Sequence, residues 1–394
     1  MKRTALTLVA LAFAGVAGAA KWSGEVSAQW RGFTQSPEDP RQHGNNLSLA
    51  AEPEFYHSWN GGADAFTFVP FLRWDQGDSE RSHGDIRELT WLHAADQWEL
   101  RVGVRKVFWG VTESQHLVDI INQTDLVENI DTEDKLGQAM VNLALIRDWG
   151  TVDLFVLPYF RKRTFPGPRG RLRSRPPVAE NLARFESSRK QRHIDLALRW
   201  SQVIGDWDVG LSHFYGTSRE PRFEPGRTRT GESALIPVYD LIHQTGLDVQ
   251  ITTGAWLWKL EAIRRSGRNE TFYAATGGLE YSFYGVFDSP ADVGLVLEYL
   301  YDDRGATGPS PFQDDLMVGL RLALNDVQSS AALLGVVKDR SSGAAFYNLE
   351  ANRRLGRSWT VNLQGRFFTG APASDPLHGL LRDDYIELEL ARHF

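Results

Sequence analysis

The chain has 394 residues, a formal net charge of −7 and no cysteine. The missing thiols exclude a disulfide framework and any thiolate metal site. The acidic balance argues against a nucleic-acid partner, which calls for a basic face. Charged residues make up 24% of the chain, yet 11% is aromatic, with 13 Trp and 21 Phe.

In chain order, Lys2 and Arg3 precede the apolar run from Ala5 to Val16 and the small residues Ala17, Gly18, Ala19 and Ala20. That order describes a secretory signal peptide over residues 1–20, removed on export. The run is too short for a membrane helix, which needs about 20 apolar residues. No later stretch approaches that length, the longest being Ala331 to Val337.

From Lys21 onward, period-two alternation recurs in segments of about ten residues, the length of a tilted strand that crosses a bilayer. Trp22, Gly24, Val26, Ala28 and Trp30 share one face of the first segment, and Lys21, Ser23, Glu25, Ser27, Gln29 and Arg31 the other. The pattern returns near 45–56, 64–75, 85–94, 97–108, 138–148, 151–160, 191–203 and 206–217. It continues near 244–254, 255–267, 271–285, 291–302, 313–324, 327–338, 344–354, 358–369 and 383–394. The expected fold is all-β: one transmembrane antiparallel β-barrel of about eighteen strands, sixteen being the alternative count, over residues 21–394. Tight connections such as Ile204-Gly205-Asp206 alternate with long ones at 109–137, 161–190, 217–243 and 370–382. Short periplasmic turns and long extracellular loops produce that asymmetry. Trp98, Trp207, Trp256 and Trp359 then begin outward-running strands, Trp200 ends an inward one, and Trp30 and Trp74 mark the opposite rim.

Gly103, Trp109 and Gly110 form a Gly-x5-Trp-Gly element, followed by Asn122-Gln-Thr-Asp125 in the next loop. This pair of motifs resembles a set of uncharacterised proteobacterial outer-membrane barrels, distantly similar to alginate-export and substrate-selective porins. Arg105 sits one place later than in that family's Gly-Arg-Gln, and Gln123 stands where a proline is common. The resemblance implies a porin-like transport or export channel and names no substrate.

A barrel of this size encloses an aqueous channel, and its selectivity comes from inward charges and any loop folded into it. The expected pore-lining residues are Glu99, Arg101, Arg105, Asp195, Arg199, Lys259, Glu261, Glu298, Arg321 and Arg366. The third loop, 109–137, is expected to fold inward as a constriction carrying Asp119, Asp125, Glu128, Asp131 and Glu133. Its Leu117, Val118, Ile120, Ile121, Leu126, Val127 and Ile130 suit a short helix or packing on the wall. The next loop is basic, with Arg161, Lys162, Arg163, Arg169, Arg171, Arg173 and Arg175 unrelieved by an acid before Glu180. Acidic loop against basic wall would set a transverse field, focused by low-dielectric walls. The basic loop suits lipopolysaccharide phosphates or an anionic solute, since Arg offers paired donors to either.

The last segment places Ile386, Leu388, Leu390 and Phe394 on one face. It resembles the C-terminal signal of bacterial outer-membrane barrels, which implies the barrel-assembly machinery as a partner through Phe394; Arg392 stands where that signal is usually apolar. The ten histidines are scattered. Ser82-His83 and Ser212-His213 place their members on opposite strand faces, so no nucleophile–base set emerges and no enzyme is expected. Asp131 to Asp134 lacks the ligand spacing of a calcium loop, and no cofactor is expected. The expected function is diffusion or export of hydrophilic, anionic solutes across a Gram-negative outer membrane. The alternative is a non-conducting or gated barrel presenting its loops to lipopolysaccharide or protein, with a homo-oligomer compatible with either.

Overall fold

The computed structural model describes residues 20–394 except 269, 306 and 307. The signal-peptide reading of residues 1–20 therefore lies, Ala20 aside, outside the described residues. The first ten strands are β1 (Lys21–Phe33), β2 (Asn45–Trp59), β3 (Asp64–Asp75), β4 (Gly84–Ala95), β5 (Trp98–Arg105), β6 (Gln138–Arg147), β7 (Gly150–Leu157), β8 (Arg184–Phe185), β9 (Asp195–Ile204) and β10 (Trp207–Thr217). There follow β11 (Arg222–Arg227), β12 (Ser233–Tyr239), β13 (Leu241–Thr253), β14 (Trp256–Gly267), β15 (Glu270–Phe283) and β16 (Asp292–Asp302). The chain ends with β17 (Asp314–Ala323), β18 (Ala331–Asp339), β19 (Ala345–Leu355), β20 (Trp359–Thr369) and β21 (Tyr385–His393).

Eighteen of these strands form one antiparallel sheet in which each pairs with the next, and β1 pairs with both β2 and β21. The sheet therefore closes on itself and leaves no free edge. All eighteen segments of the sequence pattern are barrel strands, with shifts of a few residues at their ends. Three such shifts have local causes. β5 stops at Arg105 because loop 3 leaves the wall there. β9 starts late because Lys190–Arg192 is a 3-10 turn. β18 starts at Ala331 because Asp326 accepts from the Ser330 amide at 2.8 Å and holds 324–330 in a turn.

The two faces of the wall follow the alternation. Leu198, Leu211, Leu316, Val318, Leu320 and Leu388 face outward and are exposed, as are Trp98, Trp207, Trp256 and Trp359 at the short-turn end and Trp30 and Trp74 at the long-loop end. So continuous an apolar exterior is a surface for lipid rather than water. Among the described residues no helix is long and apolar enough to cross a membrane. In the span, backbone groups must be satisfied within the protein, and the closed sheet does this.

Loops 4 and 5 (158–194 and 218–240) carry strands beyond the eighteen expected from the alternation. β11, β12 and β8 build a separate three-stranded sheet, with β8 parallel to β12. Phe185 stacks on Tyr239 at 5.3 Å and Phe160 meets Tyr239 at 4.9 Å, so the sheet has a small aromatic core. Prolines at 166, 168, 176 and 177 obscured it, since they break only the stretch preceding β8.

The seam between first and last strands carries a buried ion pair. Arg31 Nε donates to Glu387 at 2.5 Å and Gln29 Nε2 donates to the same carboxylate at 2.7 Å. Removing one partner of a buried pair strands the other charge. Glu387→Ala is expected to lower barrel stability by about 3–5 kcal/mol, read as a lower urea midpoint for the barrel refolded in liposomes. An unchanged midpoint would mean that Arg31 is not held by this carboxylate.

Candidate functional site

Loop 3 (106–137) turns into the lumen, and the two motifs singled out in the sequence explain how. Gly103 has φ of 141°, and a Cβ there would lie 2.0 Å from the Leu89 carbonyl oxygen, so the strand can pass only as glycine. Trp109 is buried, packs edge-on against Phe155 and lies under the Arg199 guanidinium, 5.2 Å from its ring centre. Gly110, at φ of 148°, lets the chain approach Glu261, whose Oε1 would be 3.0 Å from a Cβ. Asn122 then ties the two stems together. Its Oδ1 accepts from Val107 N at 2.8 Å, and its Nδ2 donates to the carbonyls of Arg105 and Leu136 at 2.9 and 2.8 Å.

Two wall glutamates clasp the descending arm. Glu261 of β14, fully buried, accepts from the amides of Val111 (2.7 Å), Thr112 (3.0 Å) and Val118 (3.1 Å) and from the Thr112 hydroxyl (2.7 Å). Glu298 of β16 accepts from the amides of Glu113 and Ser114 at 2.7 and 2.9 Å and from the Ser114 hydroxyl at 2.5 Å. Val118, Ile120 and Ile121 bury against Phe155, Phe214 and Ile263 on the inner wall. Loop 3 contains no helix; its apolar residues pack directly on the wall.

Each acid expected to charge the constriction has a cationic neighbour. Asp119 meets Lys135 at 2.9 Å and Asp125 meets Arg87 at 2.9 Å. Glu128 meets Arg73 at 2.7 Å and His83 at 2.8 Å, Asp131 meets Arg366 at 3.2 Å, and Glu133 lies 3.8 Å from His116. The acids do not face a basic wall across a gap, as the transverse-field picture requires; most are seated on it. The ten residues expected to line the pore all project inward, and most are also engaged there. Glu99 pairs with Arg101, Arg105 donates to Asn142 at 3.0 Å, and Arg199 donates twice to Asp248 at 2.6 and 2.7 Å. Asp195 binds Arg219 at 2.6 Å and His193 at 2.8 Å, while Arg321 and Lys259 approach Glu113 at 2.6 and 3.9 Å.

The basic loop is relieved, mostly by acids remote from it in sequence. Arg161 binds Asp85 at 2.5 Å, Arg171 binds Asp383 at 2.5 Å, Arg173 binds Asp39 at 2.8 Å and Arg175 pairs with Glu38. Lys162 binds Glu180 at 2.8 Å and Arg163 reaches Gln123 at 3.2 Å, leaving Arg169 exposed. Arg73 and Arg87 hold loop 3 through Glu128 and Asp125, a role the sequence reading did not give them. Strand parity reveals which face they take, but not which acid they meet.

Loop 3 divides the lumen. Toward the long loops lies a cavity of about 410 Å³ between loop 3 and the wall from β14 to β20. Toward the short turns lie cavities of about 640 Å³ beside Trp109, Arg199 and Asp208, and about 280 Å³ beside Glu25, Glu52 and Glu389.

No protein-family model and no curated protein sequence matches the chain. Solved structures do match. OccK3 (OpdO) of Pseudomonas aeruginosa has a TM-score of 0.54 at 11% identity, covering 95% of each chain. OccK11 (OpdR) of Pseudomonas aeruginosa has a TM-score of 0.52 at 11% identity, again over 95% of each. OmpT lacking its loop L8, an outer membrane protein of Vibrio cholerae, has a TM-score of 0.47 at 9% identity over 96% of this chain and 100% of that one. The chain folds as a porin-like β-barrel. At such identities the likeness is one of fold.

Two measurements follow from the clasp and its charges. Glu261→Ala leaves four donors without an acceptor inside the lumen, a loss on the order of 3–5 kcal/mol of loop docking. Loop 3 should then be cut by protease in the refolded barrel while the wall strands survive; equal resistance would place the docking energy elsewhere.

The second measurement is pH dependence. Burial opposes a charge on His116, but Glu133 and Glu261 outweigh it and push its pKa up to about 9. Burial raises Asp131 to about 6 despite Arg366, and Asp134 to about 7 with help from Asp131 and Glu128. The His116 contribution is complete below its ordinary value near 6.5 and is lost as pH climbs through about 9. The two raised acids favour docking while protonated, so docking weakens as pH rises from the ordinary carboxylate range through about 7. A spin label at Thr132, introduced as the sole cysteine, should gain mobility in both windows; one flat profile from about pH 5 to about pH 10 would refute the linkage.

Proposed function

We propose that the chain is an outer-membrane channel through which small hydrophilic solutes, anions among them, cross by diffusion, with loop 3 as its constriction. The observation that carries this reading is the seating of loop 3. A 32-residue connection lies inside the barrel, held by Glu261 and Glu298, with open volume left on both sides of it. The closed eighteen-stranded wall supports it, since a barrel of that count encloses space beyond what wall side chains fill. The Gly103, Trp109, Gly110 and Asn122 motif supports kinship with alginate-export and substrate-selective porins, because the same residues route loop 3 into the lumen. Secretion by a leader over residues 1–20, insertion through Phe394, contact of exposed Arg169 with lipopolysaccharide and assembly of copies within the membrane belong to the same reading.

A gated barrel is the second reading, favoured by how tightly loop 3 is packed: Val118 and Ile121 are inaccessible to solvent. Planar-bilayer recording separates the two. The channel reading expects steady conductance from the wild type and a further increase in Glu261→Ala. Conductance that appears only in Glu261→Ala would replace it with the gated reading, and silence from both would remove transport altogether.

A further inference from the structure

Two of the histidines scattered through the sequence meet on the outer wall. Leu211, His213 and Tyr215 follow one another on the outward face of β10, and β13 sets Thr245 opposite His213 and His243 opposite Tyr215. Both histidines are exposed, on a face that elsewhere offers leucine, valine and tryptophan. The interval from Trp22 to Trp30 spans the apolar band on β1, and the same interval from Trp207 on β10 ends at Tyr215. The pair therefore sits at the long-loop margin of the band, where lipid gives way to headgroups and water. An ionisable side chain facing lipid is costly and calls for a role.

The two rings are held as metal ligands are held. His213 Nδ1 lies 2.9 Å from the Thr245 hydroxyl oxygen, and its Nε2 lies 3.5 Å from His243 Nδ1. When Nδ1 donates to the hydroxyl, Nε2 keeps its lone pair and directs it at the second ring. A ligating imidazole commonly donates its other N–H to an oxygen in this way, which fixes tautomer and ring orientation. His243 is steadied by stacking on Tyr215, with ring centres 4.6 Å apart and planes at 28°. A separation of 3.5 Å is long for a direct hydrogen bond between the rings. It suits an ion between them: two metal–nitrogen bonds of about 2.0–2.1 Å, opened to about 115°, place their nitrogens about 3.5 Å apart.

We propose that His213 and His243 form a bidentate site for a divalent transition-metal ion of the zinc, copper and nickel class. Imidazole nitrogens favour these ions, whereas calcium and magnesium take oxygen ligands. Among the described residues no group of three or more His, Cys, Asp or Glu is placed to hold a metal ion. The protein therefore supplies two ligands here, and the other positions of the ion stay open to oxygen donors at the membrane margin. The ion joins β10 to β13 from outside, next to the strand ends where loop 5 leaves the wall. Nothing in the site depends on conduction through the lumen, so it stands apart from the channel reading.

The test is calorimetric titration of Zn²⁺ into the full barrel without an affinity tag, refolded in lipid nanodiscs, with empty discs subtracted. One tight site per barrel is expected, and Ca²⁺ should not fill it. His213→Gln and His243→Gln should each weaken Zn²⁺ binding by at least about tenfold. Thr245→Val, which removes the oxygen that orients His213, should weaken it by about 10–100-fold, and Thr245→Ser should restore it. His57→Gln, elsewhere on the barrel, should change nothing. Each variant is first shown to be folded by its heat-modifiable migration in gels. Copper at less than one equivalent gives a readout separate from affinity: paramagnetic resonance should show two nitrogen ligands in the wild type and one in His243→Gln. Wild-type Zn²⁺ affinity in either histidine variant, equal binding of Ca²⁺ and Zn²⁺, or a one-nitrogen copper signature from the wild type would overturn the site.

Discussion

Eighteen strands close around more space than their own inward side chains can fill. The rest of this structure depends on how that space is occupied. The protein brings its own chain inside: a connection of 32 residues whose backbone amides and carbonyls leave bulk water and must find partners. Glu261 and Glu298 supply them on one side and Asn122 on the other. A carboxylate accepting several amides is a strong and directional clamp. Both glutamates sit on barrel strands, so the loop inherits the rigidity of the wall.

That arrangement accounts for the charge pattern. Acids in loop 3 and cations on the wall are too numerous to bury unpaired, and burial without a partner costs several kcal/mol per ion. Arg87, Arg73 and Arg366 each receive a loop acid, while Arg161, Arg171 and Arg173 carry loop 4 onto Asp85, Asp383 and Asp39. The pairs give each loop one place to dock. They also lower the field available to a passing ion, so charge in this lumen acts first as architecture.

The wall was legible because its signal is local. Alternation with period two, tight turns at 204–206 and 355–357 and tryptophans at strand ends are each readable within about ten residues. Inward parity put Glu261, Glu298 and Arg366 on the correct face for the same reason. What parity cannot supply is the partner. Arg171 meets Asp383 across 212 positions and Glu261 meets Thr112 across 149, separations set only once the barrel has closed. The short sheet of β8, β11 and β12 was hidden by the proline-rich stretch before it, and by having only two residues in its parallel member.

One departure was visible in the sequence and needed the structure for its meaning. Ala331 to Val337 is the longest apolar run, and in a chain of alternating strands an apolar run is an apolar strand on both faces. Outside, Leu334 and Val336 meet lipid; inside, Leu333 and Val337 meet the lumen. Neighbouring β17 repeats this with Met317 between Leu316 and Val318. A wall built only to pass water and ions gains nothing from apolar side chains at those inward positions. Loop 3 is clasped at Glu298, within the same strand as Leu300; its Ile130 packs beside Phe346 and Phe368, and Phe312 packs on Val296, Leu300, Met317 and Val337. The apolar inner face thus belongs to the strands and to the loop residues packed on them, and it sets what this lumen can hold besides water.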